Sequence, residues 1–391
     1  MGGIRPAAVA TATSFLALTA AADAAPRLLA PESAATGTRV PVKAVGFPPH
    51  SRVSLELRRD RRWERVDRAR TGRDGRARLT FRAHRRGRLQ LRAAHRGATT
   101  RRRVVRVRHV TLAAVGDINL GNGPRAVMRS RGVRYPWRDV APTLRRADVA
   151  FGNLECAVSR RGRPVPKMYN FRGKPKALHA AARFAGLDVV NLANNHAGDY
   201  GRVALRDTMR HARRFGMTPV GAGRDLAAAR RPRVVTRLGL RIGFVGFSDI
   251  LPLSFAAGPS RAGTAFASPG AIRRGVRRAK RRADVVVATF HWGVERSHSP
   301  TARQRQFARI ALRAGADAVI GAHPHVLQPR RQTGRRLVAY SLGNFVWSAG
   351  SAATARTGIL RLQLSARGVE RVRFLRAQIV SAQPRLARRG S

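Results

Sequence analysis

Gly321-Ala322-His323-Pro324-His325, with the apolar run Ala316-Asp317-Ala318-Val319-Ile320 directly before it, is where the chain first declares an architecture. A short apolar run of this length predicts a buried strand. A strand that ends in a His-x-His loop places two imidazoles at the carboxyl edge of a sheet, where open α/β sheets collect ligands. Neutral imidazoles there suit a transition metal or an anion.

Working outward, five more polar clusters follow apolar runs. Strand Thr111–Val115 leads into Gly116-Asp117-Ile118-Asn119-Leu120-Gly121, and strand Ala147–Phe151 into Gly152-Asn153-Leu154-Glu155. Strand Asp188–Leu192 leads into Asn191-Leu192-Ala193-Asn194-Asn195-His196-Ala197-Gly198-Asp199-Tyr200-Gly201. Strand Asp284–Phe290 ends in His291-Trp292-Gly293-Val294-Glu295, and strand Arg336–Ser341 in Tyr340-Ser341-Leu342-Gly343-Asn344-Phe345. Helical spacing over Pro175–Ala185, Val203–Phe215, Pro269–Arg282 and Thr301–Ala314 alternates with these strands and with Arg241–Phe247, which implies an α/β domain over 110–380. Ile359–Leu364 and Val369–Ile379 read as a closing hairpin.

Each cluster has a bland reading beside the chemical one. An Asp after a strand caps or turns as often as it binds, and a loop Asn commonly forms a turn. Asp199 reads first as the cap of the following helix and second as the group orienting His196. Trp292 either walls the site or packs in the core, and Glu295 is a candidate for holding an imidazole from behind. It is the repetition at successive strand ends that points to one site.

Of the 391 residues, 78 are Lys or Arg and 20 are Asp or Glu, a formal charge of +58. Lys appears only at 43, 167, 174, 176 and 280; the other cations are Arg. A binder of anionic polymer fits this balance; so does Arg scattered over a solvated surface. The cations rarely interleave with aromatics and no nucleic-acid motif is present, which argues against specific nucleic-acid binding. The lone Cys156 excludes an intrachain disulfide and a Cys-based zinc knuckle.

Residues 1–24 read as an export signal: Arg5, an Ala-rich apolar run, then Ala22-Asp23-Ala24. The expected location is therefore secreted or cell-envelope associated, with an uncleaved anchor as the alternative and no membrane span after the signal is removed. Residues 27–108 show short alternating runs separated by Pro48-Pro49, Asp74-Gly75 and Arg86-Gly87, which predicts a small β-sandwich, immunoglobulin-like without the disulfide. Residues 381–391 read as a loose basic tail.

Taken in order, Gly-Asp-x-x-Leu-Gly, Asn-Leu-Glu, Asn-Asn-His-x-x-Asp-x-Gly, His-Trp-Gly-x-Glu, Gly-x-His-Pro-His and Tyr-Ser-Leu-Gly-Asn-Phe resemble the signature of the capsule-synthesis CapA family, associated with poly-γ-glutamate. That family is similar in turn to calcineurin-like metallophosphoesterases. The resemblance implies a four-layer αββα sandwich over 110–380. It implies metal ligands at Asp117, Glu155, Asn195, His291, His323 and His325, with Asn119 standing where those enzymes carry a histidine. One or two divalent ions (Mn, Fe or Zn) are expected. Catalytic roles fall to Asp117, Glu155 and His196, the last as proton donor to the leaving group; Asn194, Trp292 and Asn344 are the expected substrate contacts. The implied reaction is metal-assisted hydrolysis of a phosphoester or amide bond. The expected partners are an anionic polymer or phosphoester substrate and cell-envelope components. The alternative is a cleft that holds an anionic polymer within an envelope assembly without turning it over.

Overall fold

The computed structural model describes residues 25–250 and 252–387; the export signal expected at 1–24 lies outside them. Two compact units are present: one comprises 25–30, 41–81 and 90–104, the other 31–40, 82–89 and 105–387.

The smaller unit is built from β-strands. Arg27–Leu29, Arg39–Val45 and Ala77–Arg82 share a three-stranded sheet, and Arg52–Arg59 pairs antiparallel with both Arg62–Arg70 and Gly87–His95. The period-two pattern decides which side is buried: Val42 and Ala44 flank exposed Lys43, and Leu79 and Phe81 flank exposed Thr80. Trp63 lies under the Arg92 guanidinium, 4.3 Å away.

The larger unit contains two large sheets. One runs Thr218–Val220, Val189–Asn191, Val149–Leu154, Val110–Ile118, Arg356–Ser365, Gly368–Val380, Gln383–Leu386, with Asn344–Val346 beside the end of Val110–Ile118. The other runs Arg233–Arg237, Leu240–Ser248, Val285–His291, Ala318–Ala322, Arg336–Ala339, Arg330–Thr333. The central strands of both are parallel and buried on both faces, which is why they read as continuous apolar runs.

Three apolar clusters explain the layering. Leu112, Ala114, Phe151 and Val189 of the first sheet meet Ile242, Phe244, Val285 and Val287 of the second; Phe151 stacks on Phe244 with ring centroids 5.9 Å apart. Helices Pro175–Arg183 and Gly201–Arg214 bury Leu178, Leu205 and Met209 against the far side of the first sheet. Helices Pro269–Lys280 and Ala302–Arg313 bury Ile272, Val276 and Phe307 against the far side of the second.

The expected loose tail is corrected in part. Ser381 and Ala382 adopt φ of 49° and 62°, the geometry of a two-residue hairpin turn. The chain therefore folds back, and Gln383–Leu386 pairs antiparallel with the preceding strand. Pro384 is tolerated because this is an edge. Among the described residues no helix is long and apolar enough to cross a membrane.

Candidate metal centre

Strand register brings the site together. In the first sheet Asn344 pairs with Asp117, Asp117 with Asn153, and Asn153 with Asn191, one polar row across four parallel strands. In the second, Ser248 pairs with His291 and His291 with Ala322, so His323 follows at the same edge. A Cβ on Gly116 would lie 1.8 Å from the Gly343 carbonyl, so only glycine lets Asn344–Val346 close on Asp117. His323 and His325 carry φ of 98° and 58°, a left-handed backbone that non-glycine residues seldom adopt. The His-Pro-His turn holds it at the site, where such strain commonly collects.

The side chains converge. His325 Nδ1 lies 3.1 Å from Asp117 Oδ2, and the His323 backbone N–H donates to the same oxygen at 3.2 Å. Glu155 Oε1 is 3.3 Å from His291 Nε2 and 3.8 Å from His325 Nε2. His291 Nε2 also meets Asn195 Oδ1 at 2.8 Å. The rings of His291 and His323 are 4.7 Å apart. Asn153 braces the centre: its Nδ2 donates to Asp117 Oδ1 at 2.8 Å and lies 3.2 Å from His291 Nδ1, while its Oδ1 accepts from Asn191.

His196 sits beside this group. Its Nδ1 is 2.6 Å from Asp199 Oδ2, which leaves Nε2 for the cleft that His196 lines. Phe171 stacks on its ring at 4.0 Å, and Trp347 lies over His325 at 4.5 Å. The cleft, about 410 Å³, is lined also by Asn119, Tyr169 and Asn344. Asn119 accepts from the Gly121 N–H at 2.7 Å, turned toward its own loop.

Several expectations are corrected here. Asp199 does not cap the next helix, which has no side-chain cap; it is committed to His196, Lys167 and the Phe171 N–H. Trp292 is fully buried, stacks on Phe290 and donates Nε1 to the Tyr340 carbonyl at 2.9 Å. Neighbouring strand residues point to opposite faces, so His291 turned toward the site sends Trp292 into the helix-side core. Asn194 is buried with both amide groups used: Nδ2 donates to Leu154 O, and Oδ1 accepts from the His196 N–H. It braces the loop and is not among the residues that line the cleft. Glu295 lines the cleft but makes no hydrogen bond to an imidazole among the described residues. Asn344 lines the cleft with Oδ1 unpartnered among the described residues.

The sequence reading gave no role to Asn153, Lys167, Phe171 or Trp347. Asn153 lies inside the quoted Gly152–Glu155 cluster, Trp347 two residues past Phe345, and Lys167 is one of five lysines, so those signals existed. Nothing local marks Phe171.

Burial sets the electrostatics. Glu155 is pushed well above the usual carboxylate range by burial and then by the Asp117 charge. Burial, then the neighbouring imidazoles, holds His291 well below the ordinary histidine value, and His323 is lowered to about 3 by burial and then His325. His196 is also lowered, burial outweighing Asp199. Burial drives Cys156 up to about 12, so it is no nucleophile.

The residues fit a divalent cation. Glu155, His323 and His325 bring donor atoms within 4.8 Å of one another, and so do Asp117, Glu155 and His291. Glu155 Oε1, His323 Nδ1 and His325 Nδ1 are buried without a hydrogen-bond partner among the described residues. The short contacts at Glu155 Oε1 and His325 Nδ1 are thus near approaches, not hydrogen bonds. A cation held by these residues would set its charge against the burial and the Asp117 repulsion that raise the Glu155 acid.

The ordered strand-end motifs and this fold define a class, and the class has a name. The model of the bacterial capsule synthesis protein PGA_cap family matches residues 111–349, and the chain belongs to that family. It is similar to the PGA biosynthesis protein CapA of Bacillus subtilis (strain 168), 33% identical over 279 residues, 69% of this chain and 72% of that protein. The capsule biosynthesis protein CapA of Bacillus anthracis is 31% identical over 271 residues, 66% of this chain and 65% of that protein. Among solved structures, NAD nucleotidase (NadN) of Haemophilus influenzae is similar at 11% identity and a TM-score of 0.42, over 69% of this chain and 56% of that one; likeness at that level carries no argument.

Proposed function

We propose that this chain is an exported, metal-dependent hydrolase that cuts a phosphoester or amide bond during biosynthesis of an envelope polymer of the poly-γ-glutamate kind. The observation that carries the reading is the set of buried, unpartnered donor atoms on Glu155, His323 and His325, all within the two overlapping donor groups. Asp117, Glu155, Asn195, His291, His323 and His325 would hold one or two ions, and oxygen with imidazole nitrogen suits Mn, Fe or Zn. A bound ion supplies Lewis-acid polarisation and a nucleophile at neutral pH. His196, its Nδ1–H held by Asp199, presents Nε2 to the cleft, where it would take a proton from the attacking water and pass it to the leaving group. Trp347 and Tyr169 wall the cleft.

Stacked sheets with helices on both outer sides support a four-layer αββα sandwich of metallophosphoesterase type, and the small β-unit supports an immunoglobulin-like module before it. Secretion or envelope attachment rests on the sequence of residues 1–24.

Metal content of the purified full-length protein, beside His291→Ala and His323→Ala, tests the site. Turnover of bis-p-nitrophenyl phosphate and of γ-linked glutamate oligomers tests the reaction. Stoichiometric metal lost in both variants, with turnover abolished by His196→Ala, is the expected result. No metal in the parent, or undiminished metal in both variants, refutes it. The charge of +58 favours a second reading, a non-catalytic holder of an anionic polymer. Its mark is salt-sensitive polymer binding that survives His196→Ala without turnover.

A further inference from the structure

Lys167 lies in the connection between the short parallel strands Ala157–Val158 and Arg172–Gly173. Its Nζ donates to the Asn195 carbonyl at 2.6 Å and to Asp199 Oδ1 at 2.7 Å, and lies 3.1 Å from His196 Nδ1. The other oxygen of Asp199 accepts from the Phe171 N–H at 2.7 Å and meets His196 Nδ1 at 2.6 Å. Four residues after Lys167, the Phe171 ring stacks on the His196 imidazole. One segment thus grips the His196–Asp199 pair from three directions.

The chemistry of the cation matters. Asp199 is fully buried, and a buried carboxylate needs a counter-charge. A single ammonium nitrogen can donate to a carbonyl and a carboxylate at once, whereas a guanidinium spreads its donors in a plane. Arg supplies 73 of the 78 basic residues of this chain, yet Lys stands here. The Asn195 carbonyl that Lys167 holds belongs to the residue whose Oδ1 meets His291 Nε2, so the same nitrogen ties His196 to the metal-donor group.

We propose that Lys167 is the positioning residue of His196. Its ammonium locks Asp199 against the Asn195 backbone, so that His196 keeps Nδ1–H on the carboxylate and offers Nε2 to the cleft. The inference rests on the hydrolase reading of the site.

The test uses the full-length protein with Lys167→Met, which keeps the aliphatic stem, and Lys167→Arg, which keeps the charge. Two readouts are taken: the imidazole 15N shifts of His196 at about pH 8, where an ordinary histidine is neutral, and hydrolysis of bis-p-nitrophenyl phosphate by Mn-loaded protein. The parent is expected to show one fixed Nδ1–H tautomer and both variants a mixture. In both variants kcat falls about 10- to 100-fold while KM changes less than about twofold, the pattern of a lost transition-state interaction. An unchanged tautomer in either variant, or an unchanged kcat in either where the parent turns over, overturns the role. A parent without turnover sinks the hydrolase reading by itself, and the tautomer then decides Lys167 alone.

Discussion

Replacing Glu155 by Gln keeps the side chain's volume and removes its charge. Glu155 is fully buried and is the one residue shared by both donor groups. Its acid lies well above the usual carboxylate range, through burial and then Asp117. An acid whose folded pKa is raised adds stability only while protonated, below its unfolded value of about 4.3, and loses it as pH rises through the folded value. At a pH above that folded value, without a cation, the ionised carboxylate destabilises the fold. Near approaches of His291 and His325 offset part of the cost, so the substitution is expected to stabilise the chelated protein by about 1–3 kcal/mol. At about 2 °C per kcal/mol for a unit of this size, the unfolding temperature rises by about 2–6 °C. Metal reverses the order. At 100 times Kd a ligand stabilises by about 2.7 kcal/mol, available to the parent and largely lost to the variant. Thermal unfolding followed by circular dichroism, with chelator and then with excess Mn, reads both signs. A variant less stable than the parent under chelator, or one that gains as much from Mn as the parent does, would refute the electrostatic account of the site.

Asp207, with a buried side chain, is lowered to about 2, chiefly by its hydrogen bond from Arg161, with Ser159 and Arg210 assisting. A depressed acid contributes stability above its unfolded pKa of about 3.9 and loses it as pH falls through the folded value. Asp207→Asn is therefore expected to cost about 1–2 kcal/mol at pH 7, discounted for the exposed guanidiniums. Urea titrations from pH 7 downward should show the gap between parent and variant closing below about pH 4; a gap constant with pH would contradict the assignment. Trp292→Phe removes the bond to the Tyr340 carbonyl and should cost about 1–3 kcal/mol of stability with KM unchanged. Trp347→Ala, at the cleft wall, should raise KM instead. Exchanged outcomes for these two would return Trp292 to the substrate-binding role expected from sequence.

Strand ends were legible because the signal is local. A buried parallel strand is apolar nearly throughout, so the first polar residue after it stands out: Asp117, His291 and His323 were marked this way, and Glu155 two residues after Asn153. The paired strands that close the larger unit were legible from alternation, except for Gln383–Leu386, whose basic and proline-containing composition hides an edge strand. The family followed from the order of motifs, which needs no geometry.

Contacts between segments distant in sequence could not be read in one dimension. Whether Trp292 lines a cleft or fills a core depends on which face of its strand His291 occupies. Whether Asp199 caps a helix or holds an imidazole depends on Lys167 and Phe171 arriving from a loop some thirty residues earlier. By itself the sequence determined the α/β pattern, the residue types of a candidate metal centre and the family. Only the tertiary structure decided which of those residues share a carboxylate, a stacking partner or a wall, because strand register and loop return act across distances that local composition does not encode.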